Sequence, residues 1–345
     1  MLAALAAAVV AILTLCPAPA VAQAHAEQSI TPPLVNGQPV KVAIGLVITN
    51  LAQIDVANEQ FLVDGYLFMR WRDPRLAHPP TPGNLPQAVD PALIWRPELE
   101  FVNAVKPRER QQRRITADAA GEVRYVERFD AELSSKFFLR NFPFDTQTLQ
   151  IDIHPFPGGD MQTVDFVLDR ELTWKSSEFK SYSSLAEWNV AAMTAVADRV
   201  KVVNGLEISE LRFEVKVVRR YGFYLWKVFL PLLLMVLLSW TVFWMETFDL
   251  QNQIQVAVIT LLTVIAFALA ISSNLPRVPY LTFSDAFFLT CYVFVFIAIL
   301  ELMTVHVTHR IHGKDVGLRI RRISRWLVPC AFCVTLAIIF YRFLI

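Results

Sequence analysis

Apolar and polar positions follow two regimes along the chain. Before the first long apolar run they alternate in short segments: Val42 to Thr49, Phe61 to Trp71, Phe101 to Val105, Val123 to Phe129, Leu149 to Ile153, Val164 to Leu168 and Leu211 to Val218. A period of two places every second side chain on one face, so each segment predicts a half-buried strand. Turn-rich stretches such as "AHPPTPGNLPQ" and "PFPGGD" separate them, with no helical period between. Short strands at this spacing predict one immunoglobulin-like β-sandwich over residues 25–220.

From Tyr224 the alternation gives way to continuous apolar runs at about 224–245, 253–273, 283–305 and 326–345. Each is close to the roughly 20 residues a helix needs to cross a bilayer. Residues 221–345 are therefore predicted to form four membrane helices, the last two joined by a short basic link at 306–325. That link carries Arg310, Lys314, Arg319, Arg321, Arg322 and Arg325, whereas the connection between the second and third runs carries only Arg277. The positive-inside tendency puts the basic link in the cytoplasm and the N-terminal domain outside. The leader agrees: residues 1–24 are an apolar stretch ending in Ala22-Gln23-Ala24, which reads as a signal peptide although no Lys or Arg precedes it. The expected location is a bacterial inner membrane, with the sandwich in the periplasm or outside.

Composition narrows the chemistry. The chain is 54% hydrophobic with a formal net charge of +1, which leaves no basic footprint for nucleic acid. Of its 4 cysteines, Cys16 lies in the leader and Cys291, Cys330 and Cys333 lie in the apolar runs. The exported domain therefore has no disulfide framework and depends on a packed core, completed by neighbouring subunits. The sequence contains no nucleophile elbow, zinc-binding helix or phosphate loop, so an enzyme, a metal site and a cofactor are not expected.

One loop stands out. In "NFPFDTQTLQI", Asn141 to Ile151, Pro143 fixes its own φ and drives Phe142 toward an extended conformation. The result is a stiff loop between strands, expected to display Phe142, Phe144 and Asp145. From the residues alone it is equally a plain turn capped by Asp145.

These parts together resemble the prokaryotic pentameric ligand-gated ion channels of the Cys-loop receptor superfamily. The pieces that carry the resemblance are "WRDPRL" (Trp71 to Leu76), "WRPE" (Trp95 to Glu98), "NFPFDTQTL", Pro231 in the first membrane run and "SSNLPRVPYLTF" (Ser272 to Phe283). The resemblance runs from about Val42 to Ile345. It implies a homopentamer, with four further copies of this chain, membrane lipid and inorganic ions as partners. It also implies that the stiff loop stands at the junction with the membrane helices. The loop's matching flanks are Ser135 and Leu149, so the disulfide of animal receptors is absent. Asp145 would meet Arg219 there, opposite the link that holds Pro276 and Pro279.

The register of the pore helix likewise comes from the resemblance, which implies a lining of Gln251, Gln255, Ile259, Leu262, Ala266, Leu269 and Ser273. Such a stripe is polar at its ends and apolar in its middle, the arrangement of a gate that closes by dewetting. Gln251 is neutral where cation-selective members carry an acid. Glu246 and Asp249 lie just before it with no Lys or Arg nearby, which favours cations over the alternative of an anion channel. Family agonist sites are lined by aromatic side chains, for which Phe101, Tyr125 and Phe156 are the candidates, although the hairpin at about Val200 to Glu210 has no aromatic. The agonist is a small molecule or the proton, with Glu59 as the candidate proton sensor. A non-conducting transmembrane sensor is the reading from another class.

Overall fold

A computed structural model describes residues 30–80, 85–156, 161–173, 185–202, 205–244, 250–272 and 277–344. The leader 1–24 and the candidates Glu246, Asp249, Ser273 and Pro276 lie outside the described residues.

Ten strands are described: β1 (Val40–Asp55), β2 (Gln60–Arg72), β3 (Gln87–Ala88), β4 (Leu99–Phe101), β5 (Glu109–Ala117), β6 (Glu122–Ser134), β7 (Thr146–Pro155), β8 (Val164–Leu168), β9 (Trp188–Lys201) and β10 (Glu207–Arg219). They form a six-stranded sheet in the order β3-β5-β6-β2-β1-β8 and a four-stranded sheet in the order β4-β7-β10-β9. Every alternating segment of the sequence lies wholly or partly in a strand. β3, β5 and β9 carry no such signal. β5 opens with Glu109 to Arg114, all exposed, and β9 buries only Trp188 and Val190, so neither strand alternates. Their pairing with β6 and β10, not their own burial, makes them strands.

The inward faces of both sheets supply one core that includes Ile44, Leu46, Phe61, Trp71, Phe129 and Phe213. Two of the quoted motifs build it. Trp71 of "WRDPRL" and Trp95 of "WRPE" meet edge to face with centroids 6.1 Å apart. Asp73 accepts from the backbone and guanidinium of Arg75 at 3.1 and 2.9 Å, closing the turn after β2. Gly65 is required by close approach: a Cβ there would lie 2.5 Å from the Val47 carbonyl oxygen.

The membrane half consists of α1 (Gly222–Trp244), α2 (Leu250–Ser272), α3 (Phe283–His312) and α4 (Lys314–Leu344). All four are long and apolar enough to cross a bilayer. The expected basic link at 306–325 is corrected here. α3 runs on to His312 and α4 begins at Lys314, so that stretch is helix on both sides of Gly313, which takes φ +91°. Hydropathy reads only the apolar part of a helix, and a charged extension continues the same backbone hydrogen bonds into water.

Candidate functional site

The stiff loop is where the two halves touch. Phe142, Pro143 and Asp145 are buried and Phe144 is half-buried, so the expectation of a displaying loop is corrected. The sequence could not show this, because the surface that covers the loop belongs to α1, α3 and the residues just before each of them. Phe142 meets the Tyr224 ring at 4.9 Å, and its carbonyl accepts from Ser284 Oγ at 3.0 Å. Phe144 packs against Tyr221 at 5.1 Å and Phe283 at 5.2 Å. Arg140 accepts from the Phe283 amide at 2.8 Å, and the Leu139 amide donates to Tyr280 Oη at 3.0 Å. Ser135, at the flank where a disulfide would begin, donates instead to the Thr148 carbonyl at 3.1 Å.

At the centre of this contact Arg219 donates to Asp145 through Nε at 2.7 Å and Nη2 at 3.1 Å. Both side chains are almost fully buried. A forked pair of this kind aligns two parallel N–H···O bonds, and the second Asp145 oxygen also accepts from Gln147 at 2.6 Å. The guanidinium sits over Trp188 at 4.0 Å and over Phe142 at 4.8 Å, so ring faces replace the water lost on burial. Trp188 and Gln147 were missed from the sequence: Trp188 lies on a strand that carries no alternation, and Gln147 reads as one more polar strand residue. Pro279 is exposed, and its neighbour Val278 packs against the sandwich core.

The second feature is one face of α2. Gln251, Gln255, Ile259, Leu262, Ala266 and Leu269 are all exposed and lie within an arc of roughly 80° at about 100° per residue. Ile259, Leu262 and Leu269 are 54%, 60% and 67% exposed. The opposite face, Gln253, Ala257, Thr260 and Val264, is buried against the rest of the bundle. Val258 and Ile265 on one side of the stripe, with Asn252 and Ala270 on the other, widen the exposed arc beyond a single line of residues.

Two family models match the chain: the neurotransmitter-gated ion-channel ligand binding domain over residues 23–221, and the neurotransmitter-gated ion-channel transmembrane region over residues 228–317. The chain belongs to this family. The channel is also 30% identical over 318 residues to a protein described as a proton-gated ion channel from Gloeobacter violaceus, a match covering 90% of this chain and 86% of the relative. It is thus a multi-pass membrane protein of the ligand-gated ion-channel family, with an extracellular ligand-binding domain, and not an enzyme.

The candidate agonist residues of the channel separate in space. Phe101 and Phe156 line one cavity of about 580 Å³, together with Arg108 and Arg110. Phe101 is buried and Phe156 is 44% exposed. Tyr125 does not reach this cavity: it is buried in the sandwich, and its hydroxyl donates to Glu127. Burial, then its bond to Glu127, push the Tyr125 phenol up to about 12. Arg108 donates to Glu127 at 2.9 Å and stacks 4.9 Å from the Phe101 ring centroid. Burial draws its guanidinium below the usual range. The sequence offered no signal for Arg108, one of several arginines around β5. Glu59 lies in the β1–β2 turn with φ +57°, and its carbonyl accepts from the Ser135 amide at 2.9 Å. Asp55 to Asn58 of that turn line one cavity with Phe142 and Arg219.

Proposed function

We propose that five copies of the chain form a cation channel that opens when the extracellular side is acidified. The observation that carries this reading is the exposed stripe of α2. A single chain leaves Ile259, Leu262 and Leu269 largely uncovered while the face behind them is fully packed. Five such stripes around an axis give an apolar constriction that excludes ions until it widens, with the Gln251 and Gln255 rings replacing part of an ion's hydration at one end. Val258, Ile265 and Ala270 at the edges of the arc would be covered by neighbouring α2 helices.

The preference for cations rests on Glu246 and Asp249 just before the stripe, with no basic residue close by in sequence. The proton as signal is supported by the relative described as proton-gated and by a cavity at Phe101 and Phe156 whose polar lining is mostly Arg and Lys, a poor setting for an amine. Closure and opening would pass through the stiff loop: a shift of the sandwich reaches Phe142, Phe144 and the Asp145–Arg219 pair, and from them α1 and the start of α3.

The test is current recording from the purified channel in planar bilayers across a pH series, with sodium and chloride gradients. The reading predicts current that grows as the outside is acidified and reverses near the sodium potential. Opening only by an added small molecule, or reversal near the chloride potential, would overturn it.

A further inference from the structure

The outer face of the six-stranded sheet holds two carboxylates in direct opposition. Asp64 of β2 and Asp130 of β6 are register partners, and both side chains are half-buried on the same polar face. Partners directly opposite on antiparallel strands have Cβ atoms about 4.5–5.5 Å apart, close enough for two carboxyls to touch. Like charges in that position push the strands apart unless something neutralises one of them.

The surroundings supply neutral donors rather than cations. Asn50 Nδ2 donates to Asp64 Oδ2 at 3.0 Å, and Gln111 Nε2 donates to Asp130 Oδ2. The strands carrying these two amides are each irregular at that point. β1 shifts register between Ile48 and Asn50, and β5 shifts between Arg110 and Gln112. A bulge re-aims a side chain, and here two bulges on opposite sides bring an amide onto each acid. Each amide engages only the Oδ2 of its acid. Among the charged neighbours, Glu109 of β5 lies opposite Asp130 and adds negative charge, while Arg128 is two residues away on β6. Glu132 on the same face is engaged by Lys106 at 3.0 Å, and Arg110 lies 4.0 Å from Glu127. No ion pair joins either Asp to a cation among the described residues.

We propose that Asp64 and Asp130 bind one shared proton and that this proton favours the open channel. The step is a simple protonation: water outside delivers H⁺ to one carboxylate, which then donates an O–H···O bond to the other, leaving the pair with one negative charge instead of two. Burial first, then the Asp64 carboxylate beside it, hold the Asp130 carboxyl above the usual carboxylate range, while Arg128 pulls the other way.

The position of the pair gives the proton a route to the pore. β2 and β6 end together at the membrane side, where Gln60 pairs with Ser134. The pair lies four positions from that end, about 14 Å at roughly 3.4 Å per residue. Beyond Gln60 lies the β1–β2 turn, which lines a cavity of about 690 Å³ with Phe142 and Arg219. Beyond Ser134 lies the stiff loop itself. Drawing β2 and β6 together at the acid pair therefore moves both elements that touch the membrane half.

This inference rests on the reading that acid opens the channel, and the experiment separates the two. Half-activation pH is recorded for the full-length channel and for Asp64→Asn and Asp130→Asn, with surface assembly measured in parallel. Asn imitates a neutral carboxyl, so each variant should open at a pH at least half a unit less acid than the parent. Asn50→Asp is the second variant: it keeps both acids but exchanges the amide on Asp64 for a third carboxylate, and it should shift opening in the same direction. Failure of the parent to open at any pH would overturn the acid reading and this inference with it. A parent that opens on acid, with assembled variants that keep its half-activation pH, would overturn the shared-proton site alone.

Discussion

The sandwich and the exposed stripe of α2 differ in how far one chain completes its own packing. In the sandwich, Val42, Ile44, Leu46 and Ile48 on β1 are all fully buried without help from another subunit. On α2, Leu262 remains 60% exposed although Val264 two positions on is fully buried. Both sets of residues are apolar, and hydropathy does not tell which of them one chain covers. What separates them is the number of faces that have cover: the sandwich closes on itself, whereas α2 leaves one face uncovered by its own chain. A substitution in the apolar core of the sandwich should therefore read out as stability, and one on the stripe as gating.

The largest effect is expected where the two regions join. Asp145→Ala would leave the Arg219 guanidinium buried without its carboxylate, a loss of about 3–5 kcal/mol for a pair of this kind. Surface assembly and acid-evoked current should both collapse. Arg219→Lys keeps the charge but loses the fork and the ring stacking, so it should assemble and gate poorly. Exchanging the two residues should recover only part of the function, because the new Asp would stand between the Phe142 and Trp188 rings, where a cation is favoured.

The next test sets one side of α2 against the other. Leu262→Thr adds polarity on the stripe, lowers the dewetting barrier and should move half-activation to a weaker stimulus. Val264→Asn places a polar group on the buried face and should instead reduce assembly, since an amide buried without a partner costs about 1–3 kcal/mol. The same shift in half-activation from both would erase the distinction between the faces.

Selectivity should respond more weakly. Neutralising Glu246 and Asp249 together should lower cation permeability relative to chloride, measured as a reversal-potential shift in a salt gradient. The shift should shrink at high ionic strength, because salt screens interactions between charges in water beyond about 10 Å at 0.1 M and beyond about 3 Å at 1 M.

The smallest effect concerns Asp130. Its folded-state carboxyl titrates above its unfolded value, so the stabilisation from its protonation is present at low pH and is lost as pH rises through the folded value. Asp130→Asn should thus raise the melting temperature at neutral pH and leave it unchanged in acid. The size should be that of one cross-strand pair, roughly 0.2–1 kcal/mol.

Much of this was legible in the sequence, for reasons that also mark the limit. Alternation found β1, β2, β6, β7 and β10 because one face of each is buried; β5 escaped because six exposed residues, Glu109 to Arg114, erase the period. The four apolar runs gave the membrane helices, but not the charged turns that carry α3 to His312 and start α4 at Lys314. The candidates Asp145 and Arg219 do meet, whereas the burial of their loop depended on Tyr221, Tyr224 and Phe283, residues from other elements. Asp64 and Asp130 are 66 positions apart in sequence. Only the β2–β6 register makes them neighbours, so no local pattern could have joined them.

The most direct test of which face of α2 lines the pore is substituted-cysteine accessibility along that helix, in a background with Cys291, Cys330 and Cys333 replaced. A charged, membrane-impermeant thiol reagent applied during acid activation should block current irreversibly at positions 255, 259, 262 and 266, and leave positions 253, 257, 260 and 264 unmodified. Modification at the second set with protection of the first would contradict the account, because it would turn α2 through half a circle and place the stripe away from the ion path.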